Sequence, residues 1–208
     1  MKNLGRSILA LALGACCAGA LQAQQLIVGT QSAFAIAPAV ANTFGNDVEA
    51  LGNTQGATPI VAVNDAAYHS NGGVNNGLNR GQALFFNYNS AAFSAPLKTS
   101  VGSARTDYLG WDMEPVGDVD GDGWDDLAVG APQVGSGPGY VRVISGNPAV
   151  LPPFDIIYQV TGAAANGFFG GGLDRINIGL GGRDLLVAGI GTVEVRDELS
   201  GVLLAGPV

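Results

Sequence analysis

Residues 116–132 read Val116-Gly117-Asp118-Val119-Asp120-Gly121-Asp122-Gly123-Trp124-Asp125-Asp126-Leu127-Ala128-Val129-Gly130-Ala131-Pro132. Eight of the chain's 17 acidic residues lie between Asp107 and Asp126. Carboxylates this close repel one another, and a cation is the natural way to neutralise them. With Asp118 as the first position, Asp stands at the first, third and fifth positions, Gly123 at the sixth and Asp126 at the ninth. Three hard oxygens can turn inward from such a loop, and Gly123 permits its sharp turn. The carbonyl of Trp124 and the carboxylate of Asp126 can complete the shell. All-oxygen ligation is calcium chemistry, whereas zinc calls for His or Cys, which this stretch lacks. The expectation is therefore one Ca2+ held by Asp118, Asp120, Asp122, Trp124 and Asp126, with Asp125 pointing away. The alternative is a solvated acidic turn. An EF-hand is excluded, because its twelfth position carries a bidentate Glu and here that position is Val129, inside a strand pattern.

Outward from this loop the chain repeats. An aromatic or aliphatic residue followed by Gly recurs as Phe44-Gly45, Leu109-Gly110 and Phe169-Gly170, with the glycines 65 and 60 residues apart. After each comes an apolar run, at residues 59–63, 126–130 and 184–188. Next comes an alternating segment, at 82–88, 140–144 and 192–196, and then a weaker one, at 96–101, 156–160 and 202–204. Four short strands per unit with turn signals between them describe an antiparallel blade. The apolar run reads as a strand covered on both faces, and the alternating segment as one with a face to water. The fold expected is all-β, an incomplete β-propeller of about three four-stranded antiparallel blades in units near 40–101, 105–162 and 166–208. Propellers use 4 to 8 blades, so three leave strand edges open, and open edges invite self-association.

Leu109-Gly110 followed by 116–132 resembles the FG-GAP repeat, which builds the β-propeller of integrin α chains and recurs in secreted bacterial proteins. The resemblance covers residues 40–208 as three units and is close only in the middle one. It implies the same five calcium ligands, in the hairpin between the first two strands of a blade, and a role in adhesion or extracellular recognition. A gapless match on the apolar run puts Leu51, Asn53, Gln55 and Pro59 opposite the four Asp ligands in the first unit. In the third unit it puts Ile176, Ile178, Leu180 and Asp184 there. One calcium is expected, not three.

The chain has 208 residues, of which 33 are Gly and 10 Pro, with 47% hydrophobic residues and a formal net charge of −8. That hydrophobic content supports a packed core. The acidic balance argues against nucleic acid or an anionic membrane, both of which need a basic patch. Residues 1–23 read as a signal peptide: Lys2 and Arg6, then an apolar stretch from Ile8 to Leu21, with small residues ending at Ala20 or Ala23. That stretch is too short to span a bilayer. The mature domain, 24–208, is expected to be secreted or periplasmic with no transmembrane segment. Cys16 and Cys17 lie inside the leader. Leu13-Gly14-Ala15-Cys16 also resembles a lipoprotein box, which would tether the chain at Cys16. Otherwise the mature chain has no cysteine for a disulfide.

The loop from Ala66 to Gly81 is long and polar and carries the single histidine, His69, with Tyr68 and Arg80 nearby. It reads as a hairpin tip or as a contact for a protein or carbohydrate ligand. His69 has no partner in the sequence pattern that would make it a base, and no G-x-S-x-G elbow is present. Trp111 and Trp124 flank the acidic loop and read as blade-end caps or as a stacking surface for a sugar. The function expected is a secreted, calcium-binding, non-catalytic recognition module. The alternatives are an accessory domain or remnant of a secreted hydrolase, and a truncated propeller without activity of its own.

Overall fold

A computed structural model describes residues 44–52, 59–68, 79–88, 95–135, 137–177 and 184–206. The chain divides into two compact units, Met1–Ser32 and Ala33–Val208, and every described residue belongs to the second. The signal-peptide reading of residues 1–23 therefore lies outside the described residues, as do His69 and the centre of its loop, Asn53, Gln55, Ile178 and Leu180.

Among the described residues there is no helix. Twelve strands form three sheets. They are β1 (Val48–Leu51), β2 (Ile60–Asp65), β3 (Gln82–Asn87), β4 (Lys98–Val101), β5 (Met113–Gly117), β6 (Asp126–Ala131), β7 (Tyr140–Ile144), β8 (Ile156–Thr161), β9 (Gly172–Ile176), β10 (Asp184–Gly189), β11 (Thr192–Asp197) and β12 (Leu203–Ala205). Each sheet takes four consecutive strands in order, all antiparallel, and so forms one blade: β1–β4, β5–β8 and β9–β12. This is an all-β, incomplete propeller of three blades. The first strands of successive blades adjoin, β1 against β5 and β5 against β9.

The second strand of each blade carries the apolar run. β2 and β6 are buried along their whole length. The third strands depart from expectation. β7 is buried throughout and β3 at all but its last residue, so neither turns a face to water. Their polar residues are satisfied inside. Gln82 Nε2 donates to Asp65 Oδ2 at 3.3 Å, and Arg142 Nε donates to Gln159 Oε1 at 2.9 Å. Only in the last blade does the third strand expose a large apolar side chain, Val193.

Residues directly paired across antiparallel strands share a face, so the register assigns each face a neighbour. On one side of the first blade lie Leu51, Ile60, Ala62, Ala83 and Phe85. They pack with Leu109, Met113, Leu127, Val129, Tyr140 and Ile144 of the second. The opposite face of the second blade, with Val116, Ala128, Val141 and Val143, packs with Phe169, Leu185 and Val187 of the third. Each fully buried side chain of this size contributes about 1.5–3 kcal/mol, which makes the blade-to-blade seams the core of the molecule.

The aromatic-Gly landmarks fix the equivalence of the units. The N–H of Gly45 donates to Asn64 O at 2.9 Å, that of Gly110 to Gly130 O at 2.9 Å and that of Gly170 to Ala188 O at 3.1 Å. Asn64, Gly130 and Ala188 are thus equivalent. Ile60, not Pro59, takes the place of Asp126 in the first blade, a shift of one residue from the gapless match. The cause is the hairpin loop, whose length differs between units while the backbone bonds do not.

Two carboxylates tie blades together. Asp47 Oδ2 accepts the Met113 N–H at 2.8 Å, and Asp112 Oδ2 accepts the Leu173 N–H at 2.7 Å. Each Asp stands just before the first strand of its blade and reaches the first strand of the next. The equivalent residue in the third blade is Gly172.

Candidate metal centre

The acidic loop is the hairpin between β5 and β6. Its backbone N–H groups fold onto its own carboxylates. Asp118 Oδ1 accepts from Gly121 at 2.8 Å, and its Oδ2 accepts from Gly123 at 2.9 Å. Asp120 Oδ1 accepts from Asp122 at 3.1 Å, and Asp122 Oδ1 accepts from Trp124 at 3.0 Å. Short Asp side chains close such local rings readily, which suits them to loops. Gly123 adopts φ +89°, a conformation costly for any residue with a Cβ.

Asp126, the first residue of β6, is fully buried. Its Oδ2 accepts the Val119 N–H at 2.7 Å and its Oδ1 the Gly146 N–H at 2.9 Å. Burial pushes its carboxyl up to about 7, against the lowering effect of those two bonds. Asp120, at the exposed tip, is also raised, first by desolvation and then by its neighbours Asp122 and Asp118. Both shifts have the sign of carboxylates that lack a counter-charge.

Carboxylate oxygens of Asp118, Asp120 and Asp126 lie within 4.8 Å of one another. Asp122 stands outside that trio and turns its Oδ2 to the Asn147 side-chain amide, which donates at 2.8 Å. Trp124 is half-buried against the seam between the first two blades. Asp125 turns towards the first blade, where a Cβ built on Gly52 would meet its Oδ2 at 2.3 Å. A cluster of hard oxygens around a buried carboxylate short of positive charge fits calcium and does not fit a soft metal.

The loop is also wired to the first blade through residues that carry no signal in the sequence. Gly146 and Asn147, which bond Asp126 and Asp122, belong to the turn after β7. The carbonyls of Ser145, Asn147 and Val150 in that turn accept from Lys98 Nζ, with Asn147 O at 3.3 Å and Val150 O at 3.4 Å. Lys98 comes from β4, is 4% exposed and lies over the Phe85 ring at 4.6 Å. Burial lowers its pKa, while Asp155, Asp126, Asp122 and Asp120 pull it back up. Sequence reading sees only an isolated lysine in a weak strand.

Of the other candidates, Trp111 is 42% exposed and stands edge-on between the rings of Tyr108 and Phe168, at 5.9 and 5.3 Å. Arg80 is tied back to the carbonyls of Gly102 and Ser103.

A second row of carboxylates runs along the first strands: Asp47 and Glu49, Asp112 and Glu114, and Asp174. Glu49 is pushed up to about 7, chiefly by burial and then by Asp47, Glu114 and Asp112.

No helix among the described residues is long and apolar enough to cross a membrane. No curated protein matches the chain in sequence. Residues 115–144 match the family model of the FG-GAP repeat, a stretch that runs from β5 through the acidic loop to the end of β7. The central blade thus matches an FG-GAP repeat, and the same four-stranded antiparallel sheet is built three times among the described residues, as a propeller-like FG-GAP fold requires.

Proposed function

We propose that this chain is a secreted recognition module that acts by binding rather than by catalysis, with its central blade held in shape by one calcium ion. The observation that carries the metal is the convergence of Asp118, Asp120 and Asp126 oxygens within 4.8 Å on a hairpin already folded by its own N–H groups. Asp122 and the Trp124 carbonyl are the remaining donors in this reading. A bound Ca2+ would neutralise the loop and act structurally. The role in recognition is supported by the FG-GAP repeat match in the central blade, with a protein or carbohydrate as the proposed ligand. Asp112 and Asp47 are occupied in bonding the backbone of the next blade rather than facing a substrate cleft.

Thermal melting with calcium and with EDTA tests the metal. The wild type should melt several degrees lower in chelator, and Asp120→Ala should remove most of that difference. Calorimetric titration should give one site per chain. Identical melting curves with and without chelator would remove the ion from the reading. A glycan and protein array probed with the calcium-loaded chain tests recognition separately.

A further inference from the structure

Asn147 stands directly behind the acidic loop. Its Nδ2 donates to Asp122 Oδ2 at 2.8 Å, while Asp122 Oδ1 accepts the Trp124 N–H at 3.0 Å. Each carboxylate oxygen can accept twice, so these two bonds do not exclude a cation. They fix how the Asp122 carboxylate faces the loop. Asn147 is itself fixed. Its Oδ1 accepts the Ala149 N–H at 2.9 Å, which sets the amide with its donor towards Asp122, and its carbonyl accepts the Val150 N–H at 3.1 Å. The same carbonyl takes a bond from Lys98 Nζ of the first blade at 3.3 Å.

Asp155 closes this turn, its backbone O accepting the Ser145 N–H at 2.8 Å. The residue is 1% exposed, and neither carboxylate oxygen has a hydrogen-bond partner among the described residues. A buried carboxylate without hydrogen bonds is costly, and what offsets the cost here is charge. Lys98 is the first cation acting on Asp155, followed by Arg142. In return Asp155 leads the carboxylates acting on Lys98, ahead of Asp126, Asp122 and Asp120. Arg142 is taken up by the Gln159 side chain, the Val101 carbonyl and the Ser103 hydroxyl. The Lys98 ammonium therefore serves two sets of negative charge, one buried carboxylate and the loop. A divalent ion entering the loop repels that ammonium, and Asp155 is the group that restrains it.

We propose that Asn147, Lys98 and Asp155 are positioning residues that set the calcium affinity of the loop without touching the ion. Asn147 aims Asp122, Lys98 holds Asn147 from the neighbouring blade, and Asp155 keeps Lys98 seated when the ion's charge arrives. The inference rests on the calcium reading above. It also runs in reverse: whatever factor the first blade lends to calcium binding, calcium returns to the contact between the two blades. The ion thus clamps the seam as well as its own hairpin.

Titration of the full chain with Ca2+ and with Tb3+ tests it. Trp124 lies in the loop, so its indole sensitises Tb3+ luminescence there, and lifetimes in H2O and D2O count the waters left on the ion. Two variants leave the net charge unchanged. Asn147→Ala should weaken Ca2+ binding about 10–100-fold and add a water to the Tb3+ shell. Lys98→Met combined with Asp155→Asn removes one charge of each sign, and by loosening Asn147 it should weaken binding about tenfold. Without any variant, the amides of β4 should exchange more slowly once Ca2+ is added, although β4 supplies no ligand. A wild type that takes up neither ion removes the calcium reading, and this inference falls with it. In a chain that does bind, a lower melting temperature in Asn147→Ala with affinity and water count unchanged would mark a packing role only and overturn this inference alone. So would β4 exchange indifferent to calcium.

Discussion

Replacing Asp112 by Ala removes the clasp between the second and third blades. The lost bond is the 2.7 Å contact from the Leu173 N–H to Asp112 Oδ2, half-buried and made to a charged acceptor. A bond of that kind contributes about 1.5–3 kcal/mol. An opposing effect reduces the loss. Asp112 is among the charges that raise the Asp47, Glu49 and Glu114 carboxyls, so its removal eases repulsion along the row. A net loss of about 1–2 kcal/mol remains. For a domain of this size each kcal/mol shifts the melting temperature by about 2–4 °C, so Asp112→Ala should melt roughly 2–8 °C below wild type. Asp112→Asn keeps an acceptor oxygen and should recover at least half of the loss. Hydrogen exchange localises the effect: the Leu173 amide should lose protection while strands β1–β4 keep theirs. A variant within 1 °C of wild type and unchanged exchange at Leu173 would refute the clasp.

Glu49 makes stability depend on pH. Its folded pKa of about 7 lies above the usual glutamate value of 4.5, so the folded state holds the proton more tightly. The favourable contribution is complete below pH 4.5 and fades as pH rises through 7. Glu49→Gln should therefore raise the melting temperature at pH 8, leave it nearly unchanged at pH 4.5, and flatten the profile between. Lys98→Ala strands the carbonyls of Ser145, Asn147 and Val150. It should cost about 2–3 kcal/mol in a denaturant titration, with the turn after β7 losing amide protection first.

Much of the architecture was legible from residue spacing because the repeat is written in backbone requirements. The aromatic-Gly landmarks recur since each glycine N–H must reach the carbonyl of its own second strand. The apolar runs became β2, β6 and β10 because each packs against a neighbouring blade, and β6, in the middle, against two. The first strands, β1, β5 and β9, left no such trace. They are short, and Glu49, Glu114, Asp174 and Arg175 interrupt any apolar pattern. The alternation of the third strands misled for a related reason: Arg142 and Gln82 are buried and bonded, so their polarity did not mark a wet face. In the acidic loop, spacing brought Asp118, Asp120 and Asp126 into view together. It could not show that Asp122 turns to Asn147, or that Asn147 and Gly146 link the loop to Lys98, since those partners lie 25, 20 and 47 residues apart.

That linkage bears on how such a chain can be cut and recombined. Tandem units are commonly treated as interchangeable parts, yet the middle one borrows its ammonium group from the unit before it. A fragment that begins at residue 105 keeps all nine residues of the acidic loop and still forfeits the lysine that anchors the turn behind it. The smallest piece able to present an intact loop is therefore a pair of units, and any shuffled version must inherit Lys98 along with the aspartates.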